Sequence, residues 1–164
     1  MNITVRRLTE DDAEIFREIR LEALDQYPEA FQATYERSAE LPLETFAARL
    51  KRYMLFGGFS DDRLMGFVGF YPLHNPRISH KGVLWGMYVR EEARGTGLAA
   101  AMVERVLEFA KENVEQVVLS VITSNEHACR FYKKMGFEIY GLEKRALCID
   151  GRYYDEEFMV RFLT

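Results

Sequence analysis

The segment Arg94-Gly95-Thr96-Gly97-Leu98-Ala99 has the residue types of an anion-binding turn. It lies between an apolar run that ends at Val89 and a stretch with helical periodicity. Glycines let backbone N–H groups converge without a Cβ in the way, and a helix start adds a partial positive charge. Arg94 adds a full positive charge beside them. The segment therefore predicts a binding site for a diphosphate.

The same segment allows two other interpretations. A glycine pair by itself also fits a tight strand-to-helix turn that binds nothing. Gly95, Gly97 and Ala100 further match the G-x-G-x-x-A pattern of dinucleotide-binding domains. That pattern normally opens a domain of two mononucleotide-binding halves, whereas here it lies past the middle of 164 residues. This position disfavours a dinucleotide.

Metal-ligating residue types are sparse in the sequence. His74 and His80 flank one loop, but no cysteine or acidic cluster accompanies them, and two ligands are too few for a closed zinc site. Cys129 and Cys148 are far apart, and nothing else suggests an oxidising compartment. We expect no metal and two free thiols.

The composition, 48% hydrophobic and 29% charged, is typical of a packed globular protein, and the length predicts one domain over residues 1–164. The net charge of −4 argues against nucleic acid as a partner. No apolar run reaches the roughly 18 residues that a membrane span needs, and residues 1–10 lack the order of a signal peptide. We therefore expect a cytoplasmic protein without a membrane partner.

Two helices are predicted before the sheet is complete. Residues 3–8 form a short strand, and a helix follows a capping-box pattern that begins at Thr9. Arg20 and the other charged residues of this helix fall largely on the side opposite its apolar residues. A loop over Asp25–Leu41 separates it from a second helix that begins at Pro42.

The middle of the chain surrounds the anion-binding segment with apolar strands and a helix. Residues 55–71 predict a hairpin that turns at Asp61-Asp62-Arg63. Pro72–Lys81 reads as a loop. Val83–Val89 is apolar on both faces, as a central strand is, and Thr96–Asn113 is an amphipathic helix.

The last third predicts one more parallel unit and a hairpin. Gln116–Val121 is a buried strand, and the intervening helix makes it parallel to the strand before that helix. A helix over Asn125–Met135 ends at a glycine. Phe137–Ile149 and Arg152–Phe162 are strands joined by the turn Asp150-Gly151.

Three motifs in this order resemble the GCN5-related N-acetyltransferases (GNAT). The family's R/Q-x-x-G-x-G/A turn matches Arg94–Ala99 position by position. Ser124-Asn125-Glu126-His127-Ala128 resembles the family's asparagine segment, and Phe131–Phe137 resembles its helix end F-Y-x-x-x-G-F. The order of elements fits along the whole chain, although the first 80 residues match in pattern only.

The resemblance implies an α/β (α+β) fold with a mixed, mostly antiparallel central sheet and about four flanking helices. Two parallel strands, Val83–Val89 and Gln116–Val121, would splay apart and admit the pantetheine arm of acetyl-CoA. Gly86 would supply a distortion that frees the N–H of Met87 as the oxyanion donor, since strand glycines often mark bulges. The implied cofactor-binding residues are Met87, Tyr88, Val89, Arg94, Gly95, Thr96, Gly97, Leu98, Ala99, Asn125 and Tyr132.

Tyr132 aligns with the family's tyrosine and is implied as the general acid for the departing thiolate. Its helical spacing with other apolar residues equally fits core packing. Asn125 would be a helix N-cap, a cofactor ligand or both. Trp85 belongs to the core or to the acceptor site. We name no catalytic base, although Glu22, Glu29 and Glu36 lie in the part of the chain where the family builds its acceptor site.

The implied function is transfer of an acetyl group from acetyl-CoA to a primary amine of a small molecule or peptide, by direct attack in a ternary complex. The alternative is a non-catalytic acyl-CoA-binding regulatory domain. The acceptor would be selected by the loops at Asp25–Leu41 and Pro72–Lys81 and by the closing hairpin. A homodimer is left open.

Overall fold

The computed structural model describes residues 2–164. Within them lie five α-helices and seven β-strands. The helices are α1 (Ala13–Gln26), α2 (Tyr35–Ala39), α3 (Leu43–Arg52), α4 (Leu98–Lys111) and α5 (Glu126–Lys134). The strands are β1 (Ile3–Arg7), β2 (Met54–Ser60), β3 (Arg63–Pro72), β4 (Lys81–Val89), β5 (Gln116–Ile122), β6 (Glu138–Ile149) and β7 (Arg152–Phe162).

The strands form a mixed sheet in the order β1-β2-β3-β4-β5-β7-β6. The pairs β1–β2, β2–β3, β5–β7 and β6–β7 are antiparallel, and β4–β5 is parallel. This confirms the predicted fold class. The residues form two compact units, one reaching up to Tyr71 and including Leu84–Glu108, the other containing Pro72–Val83 and Phe109–Thr164. We call them unit 1 and unit 2.

Unit 1 is built on a core of large side chains from α1, α3 and the strands. Phe16, Phe46 and Phe67 are essentially buried and meet edge to face, with centroids of Phe16 and Phe67 5.5 Å apart. The helical segment before α1 begins with the predicted cap, where the N–H of Thr9 donates to Oδ2 of Asp12 at 2.7 Å. The core thus fixes α1 and α3 as one body.

Glycines allow α4 to lie directly on strands β2 and β3 in unit 1. A Cβ on Gly58 would be 2.7 Å from Sδ of Met102, and one on Gly66 would be 2.8 Å from Cε of Met102. A larger residue at either position would displace the side chain of Met102, so glycine lets the helix approach the strands closely. This contact fixes the axis of α4 and with it the position of the turn at its start.

Unit 2 contains the paired residues of the parallel strands β4 and β5 and the closing hairpin. The parallel register joins Lys81, Gly82 and Val83 to Gln116, Val117 and Val118. The hairpin turns at Asp150 and Gly151, with φ of 50° and 78°, as the Asp-Gly signal predicts. The separation of β4 and β5 beyond the paired residues stays a prediction.

Two helix predictions need correction. The predicted loop Asp25–Leu41 contains the short helix α2, which the prediction did not include. Oγ1 of Thr34 accepts the N–H of Arg37 at 3.4 Å and caps it. The helix predicted from Thr96 instead begins at Leu98, because Gly97 has a φ of 92° that is incompatible with a right-handed helix.

No helix within residues 2–164 has both the length and the apolar composition needed to cross a bilayer. Both cysteines are free, as predicted, with Cys129 buried and Cys148 exposed.

Candidate active site

The turn between β4 and α4 presents an open face in unit 1. Gly95 and Gly97 have φ of 77° and 92°, where an L side chain is strained. A Cβ on either glycine would contact nothing within 4 Å. Backbone conformation therefore requires the glycines here, and the space beside them is free for a ligand.

Donors and charge converge on this turn. The N–H of Ala101 bonds to the carbonyl of Gly97 at 3.0 Å and closes the first turn of α4. The preceding N–H groups have no partner inside the helix, and they point along the positive end of its dipole. Oγ1 of Thr96 donates to the carbonyl of Ala93 at 2.5 Å and holds the turn in place. This geometry suits an anion such as a diphosphate.

Arg94 is exposed at the edge of the turn. Its Nε donates to the carbonyl of Val89 at 3.3 Å, and its guanidinium carbon lies 5.0 Å from the ring centroid of Tyr27. Both contacts hold the side chain at the turn while its charge remains accessible to a ligand.

Strand β4 is distorted at Gly86, whose φ of 68° is the predicted irregularity. The next residue is Met87, the predicted oxyanion donor. Trp85 packs on the backbone of β3, where a Cβ on Gly69 would be 2.3 Å from its ring. It also packs against the core of unit 1, which favours the core interpretation of Trp85.

The side chain of Tyr88 is part of a polar network that the sequence did not predict. Its Oη donates to Oε2 of Glu22 at 2.7 Å and contacts Oε1 of Gln26 at 3.2 Å. Burial and the hydrogen bond to Glu22 raise the pKa of Tyr88 above its usual range. Nε of Arg90, itself buried, lies 3.6 Å from the same Oε2 of Glu22.

Tyr132 lies in unit 2 in an apolar environment. Its ring contacts Phe131 and Phe137 edge to face, with centroids 5.2 Å and 5.8 Å away. Its hydroxyl has no hydrogen-bond partner in the described part of the chain, and burial raises its pKa above the usual range. The phenol therefore stays protonated at neutral pH.

Asn125 is the N-cap of α5, as predicted, since its Oδ1 accepts the N–H of Ala128 at 3.1 Å. Among the three glutamates considered as bases, Glu22 has the contacts with Tyr88 and Arg90, and Glu36 is exposed on α2. Glu29 lies in a short 3-10 segment, Pro28–Ala30. Across residues 2–164, no group of three metal-ligating side chains could hold an ion.

The predicted site residues divide between the units. Unit 1 holds the turn Arg94–Ala99 together with the β4 residues Met87, Tyr88 and Val89, and unit 2 holds Asn125 and Tyr132. Glu22, Arg90 and the side chain of Tyr88 were missed as partners, because Glu22 lies 66 positions from Tyr88 and farther still from Arg90, and no local pattern links them.

Comparison with known proteins identifies the family. The sequence model of the acetyltransferase (GNAT) family matches residues 14–137. The L-amino acid N-acetyltransferase AaaT of Escherichia coli is 30% identical over 62% of this chain, and the match spans 63% of that relative's length. An N-alpha-acetyltransferase of Saccharolobus solfataricus is 28% identical, with 86% of each chain covered.

A solved structure shows the same fold. The yncA structure from Salmonella typhimurium, described with its cofactor acetyl-CoA, has a TM-score of 0.80 and 19% identity, covering 100% of this chain and 95% of that one. The predicted family resemblance is confirmed, and this family is one of acetyl-CoA-dependent acyltransferases. The chain belongs to the acetyltransferase (GNAT) family.

Proposed function

We propose that this protein transfers an acetyl group from acetyl-CoA to a primary amine of a small molecule or peptide. The observation that carries the proposal is the open turn before α4, in which Gly95 and Gly97 have positive φ and Arg94 lies at the edge. Family membership supports acetyl-CoA as the donor. The relatives named as amino acid and N-alpha-acetyltransferases support an amine as the acceptor.

In this proposal the cofactor's diphosphate binds the turn Arg94–Ala99. The N–H groups at the start of α4 donate to the phosphate oxygens, and Arg94 supplies a full opposite charge. The backbone of Met87, Tyr88 and Val89 and the side chain of Asn125 bind the pantetheine arm.

The transfer takes place directly in a ternary complex. The amine nitrogen attacks the thioester carbonyl carbon, and the N–H of Met87 stabilises the oxyanion of the tetrahedral intermediate. The C–S bond then breaks, the acetyl group remains on nitrogen as an amide, and the thiolate takes the proton of Tyr132. The nitrogen's own proton leaves to solvent, and a proton from solvent restores the phenol of Tyr132. No side chain is named as base, because Oε2 of Glu22 already accepts the hydroxyl of Tyr88.

We also propose that residues 1–164 act as one domain, since the family match runs through residues of both units. The cytoplasmic location stays a prediction, and the homodimer stays open.

Thiol release tests the proposal. The protein is incubated with acetyl-CoA and a panel of amines, including amino acids, polyamines and peptides with free N-termini, and free coenzyme A is measured over time. We expect amine-dependent release and an N-acetyl product by mass spectrometry. Tight acetyl-CoA binding without release for any amine would favour the non-catalytic alternative.

A further inference from the structure

Arg20 of α1 is a cation without a counter-ion among the described residues of unit 1. Its guanidinium carbon lies 4.8 Å from the ring centroid of Phe31 and 5.9 Å from that of Phe67. Its Nη1 is buried and makes no hydrogen bond within residues 2–164. The sequence predicts Arg20 on the polar face of α1, but the side chain is half-buried.

No acidic group within residues 2–164 forms an ion pair with Arg20. Two further arginines, Arg17 and Arg49, place their guanidinium carbons 5.9 Å and 5.8 Å from the ring centroid of Phe46. None of the three arginines forms an ion pair in the described residues, whereas Arg6 lies 2.9 Å from Asp12. Burial, followed by repulsion from Arg49, lowers the pKa of Arg20 to about 10.

An unpaired charge in this position costs free energy that the two rings offset only in part. Cation–π contacts are worth about 0.5 to 2 kcal/mol, and removing a charge from water without a partner costs several times more. The unsatisfied Nη1 is therefore poised for an anion that is not part of the chain.

The position of Nη1 links it to β4. A Cβ on Gly86 would lie 4.0 Å from Nη1 of Arg20 and 3.9 Å from Cε2 of Phe67. Because glycine has no side chain, residue 86 places no side-chain atom between this strand and the guanidinium. Gly86 directly precedes Met87, the proposed oxyanion donor, so Nη1 of Arg20 lies beside the part of β4 that carries that donor.

We propose that Arg20 binds the carboxylate of the acceptor, and that the acceptor is therefore an amine that carries a carboxylate, such as an amino acid. A guanidinium pairs with a carboxylate through two parallel hydrogen bonds, and the rings of Phe31 and Phe67 hold the guanidinium of Arg20 in position for such a pair. This inference rests on the proposed function, because it names the acceptor of the same reaction.

A binding experiment tests the carboxylate without requiring turnover. The protein, saturated with coenzyme A, is titrated calorimetrically with N-acetyl derivatives of the genetically encoded amino acids, each as the free acid and as the carboxamide. We expect at least one acid to bind about 10- to 150-fold more tightly than its amide, the range of a charge-assisted hydrogen bond. Equal binding of every pair, or no binding of any acid, would overturn the proposal.

Variants test whether the preference for the free acid over the carboxamide depends on Arg20. Arg20→Met keeps an apolar stem and should remove the preference for the acid, and Arg20→Lys should retain only part of it because the planar fork is lost. Arg52→Met is the matched control, since Arg52 is an exposed arginine 5.4 Å from the ring centroid of Tyr53. A preference that survives Arg20→Met in folded protein would contradict the proposal, and the wild-type comparison remains decisive should that variant fail to fold.

Thiol release separates this proposal from the function on which it rests. Release with amines that lack a carboxylate, at the rate of matched amino acids, would leave the acetyltransferase activity standing and overturn the role of Arg20. No release with any amine would contradict the proposed function, while the calorimetric comparison would still report on Arg20.

Discussion

The surroundings of Tyr88 in unit 1 and of Tyr132 in unit 2 are opposite in character, although both side chains are almost fully buried, 5% and 6% exposed. Oη of Tyr88 lies 2.7 Å from a carboxylate and 3.2 Å from an amide oxygen. The ring of Tyr132 contacts two phenylalanine rings, and its Oη has no polar partner within residues 2–164. The hydroxyl of Tyr88 is already hydrogen-bonded and therefore contributes to stability. The hydroxyl of Tyr132 has no acceptor in the protein and is free to donate to a ligand.

The comparison predicts its largest effect for Tyr132→Phe. Loss of the hydroxyl should lower kcat by about 10² to 10⁴, the usual worth of general acid catalysis, because the thiolate then leaves without its proton donor. Acetyl-CoA affinity and the thermal midpoint should change little, since the ring and its contacts remain. Steady-state kinetics, calorimetry and thermal melting on one preparation check this, and full activity in the variant would remove Tyr132 from the mechanism.

The pH dependence of the rate should come from the acceptor and not from either tyrosine. Both phenols have pKa values raised above their usual range, so both stay protonated between about pH 6 and 9. Only the neutral amine attacks, so kcat/KM should rise about tenfold per pH unit below the acceptor's pKa. A profile that is flat over this range, or that falls as pH rises, would contradict direct attack by the amine.

Tyr88→Phe should have a smaller effect than Tyr132→Phe, and it should lower stability rather than turnover. It leaves an oxygen of Glu22 without its 2.7 Å donor and should cost about 1 to 2 kcal/mol of stability, or a few degrees in Tm for a chain of this size. The chemical step should be nearly unchanged, because only the backbone of Tyr88 is proposed to contact the cofactor. Melting curves of the two Phe variants, measured side by side, test whether only Tyr88→Phe lowers Tm. Equal losses of Tm in both variants would contradict the difference proposed between the two tyrosines.

Much of this arrangement could be predicted from the sequence because its signals are local. The turn at Arg94–Ala99 is marked by its glycines, the Asp-Gly hairpin by its turn residues, and the cap at Asn125 by the helix it opens. Each prediction depends on residues a few positions apart, where conformational preferences decide the structure.

The rest depends on contacts between distant residues. The hydrogen bond from Tyr88 to Glu22 joins positions 66 apart, and the burial of Arg20 follows from Phe31 and Phe67 packing around it. Helical periodicity placed Arg20 among exposed charges, because periodicity reports the face of a helix but not what covers it. The short helix α2 was missed because five residues are too few to show a period.

The central claim, that the turn before α4 binds the diphosphate of acetyl-CoA, is tested most directly by calorimetric titration of matched glycine variants. Gly97 and Gly151 both have positive φ, 92° and 78°, and a Cβ on either meets nothing within 4 Å. Aspartate therefore introduces backbone strain and a negative charge at both positions. We predict that Gly97→Asp weakens acetyl-CoA binding by about tenfold or more, which corresponds to ~1.4 kcal/mol, while Gly151→Asp leaves it unchanged. Unaltered affinity in folded Gly97→Asp, or an equal loss in both variants, would contradict the account.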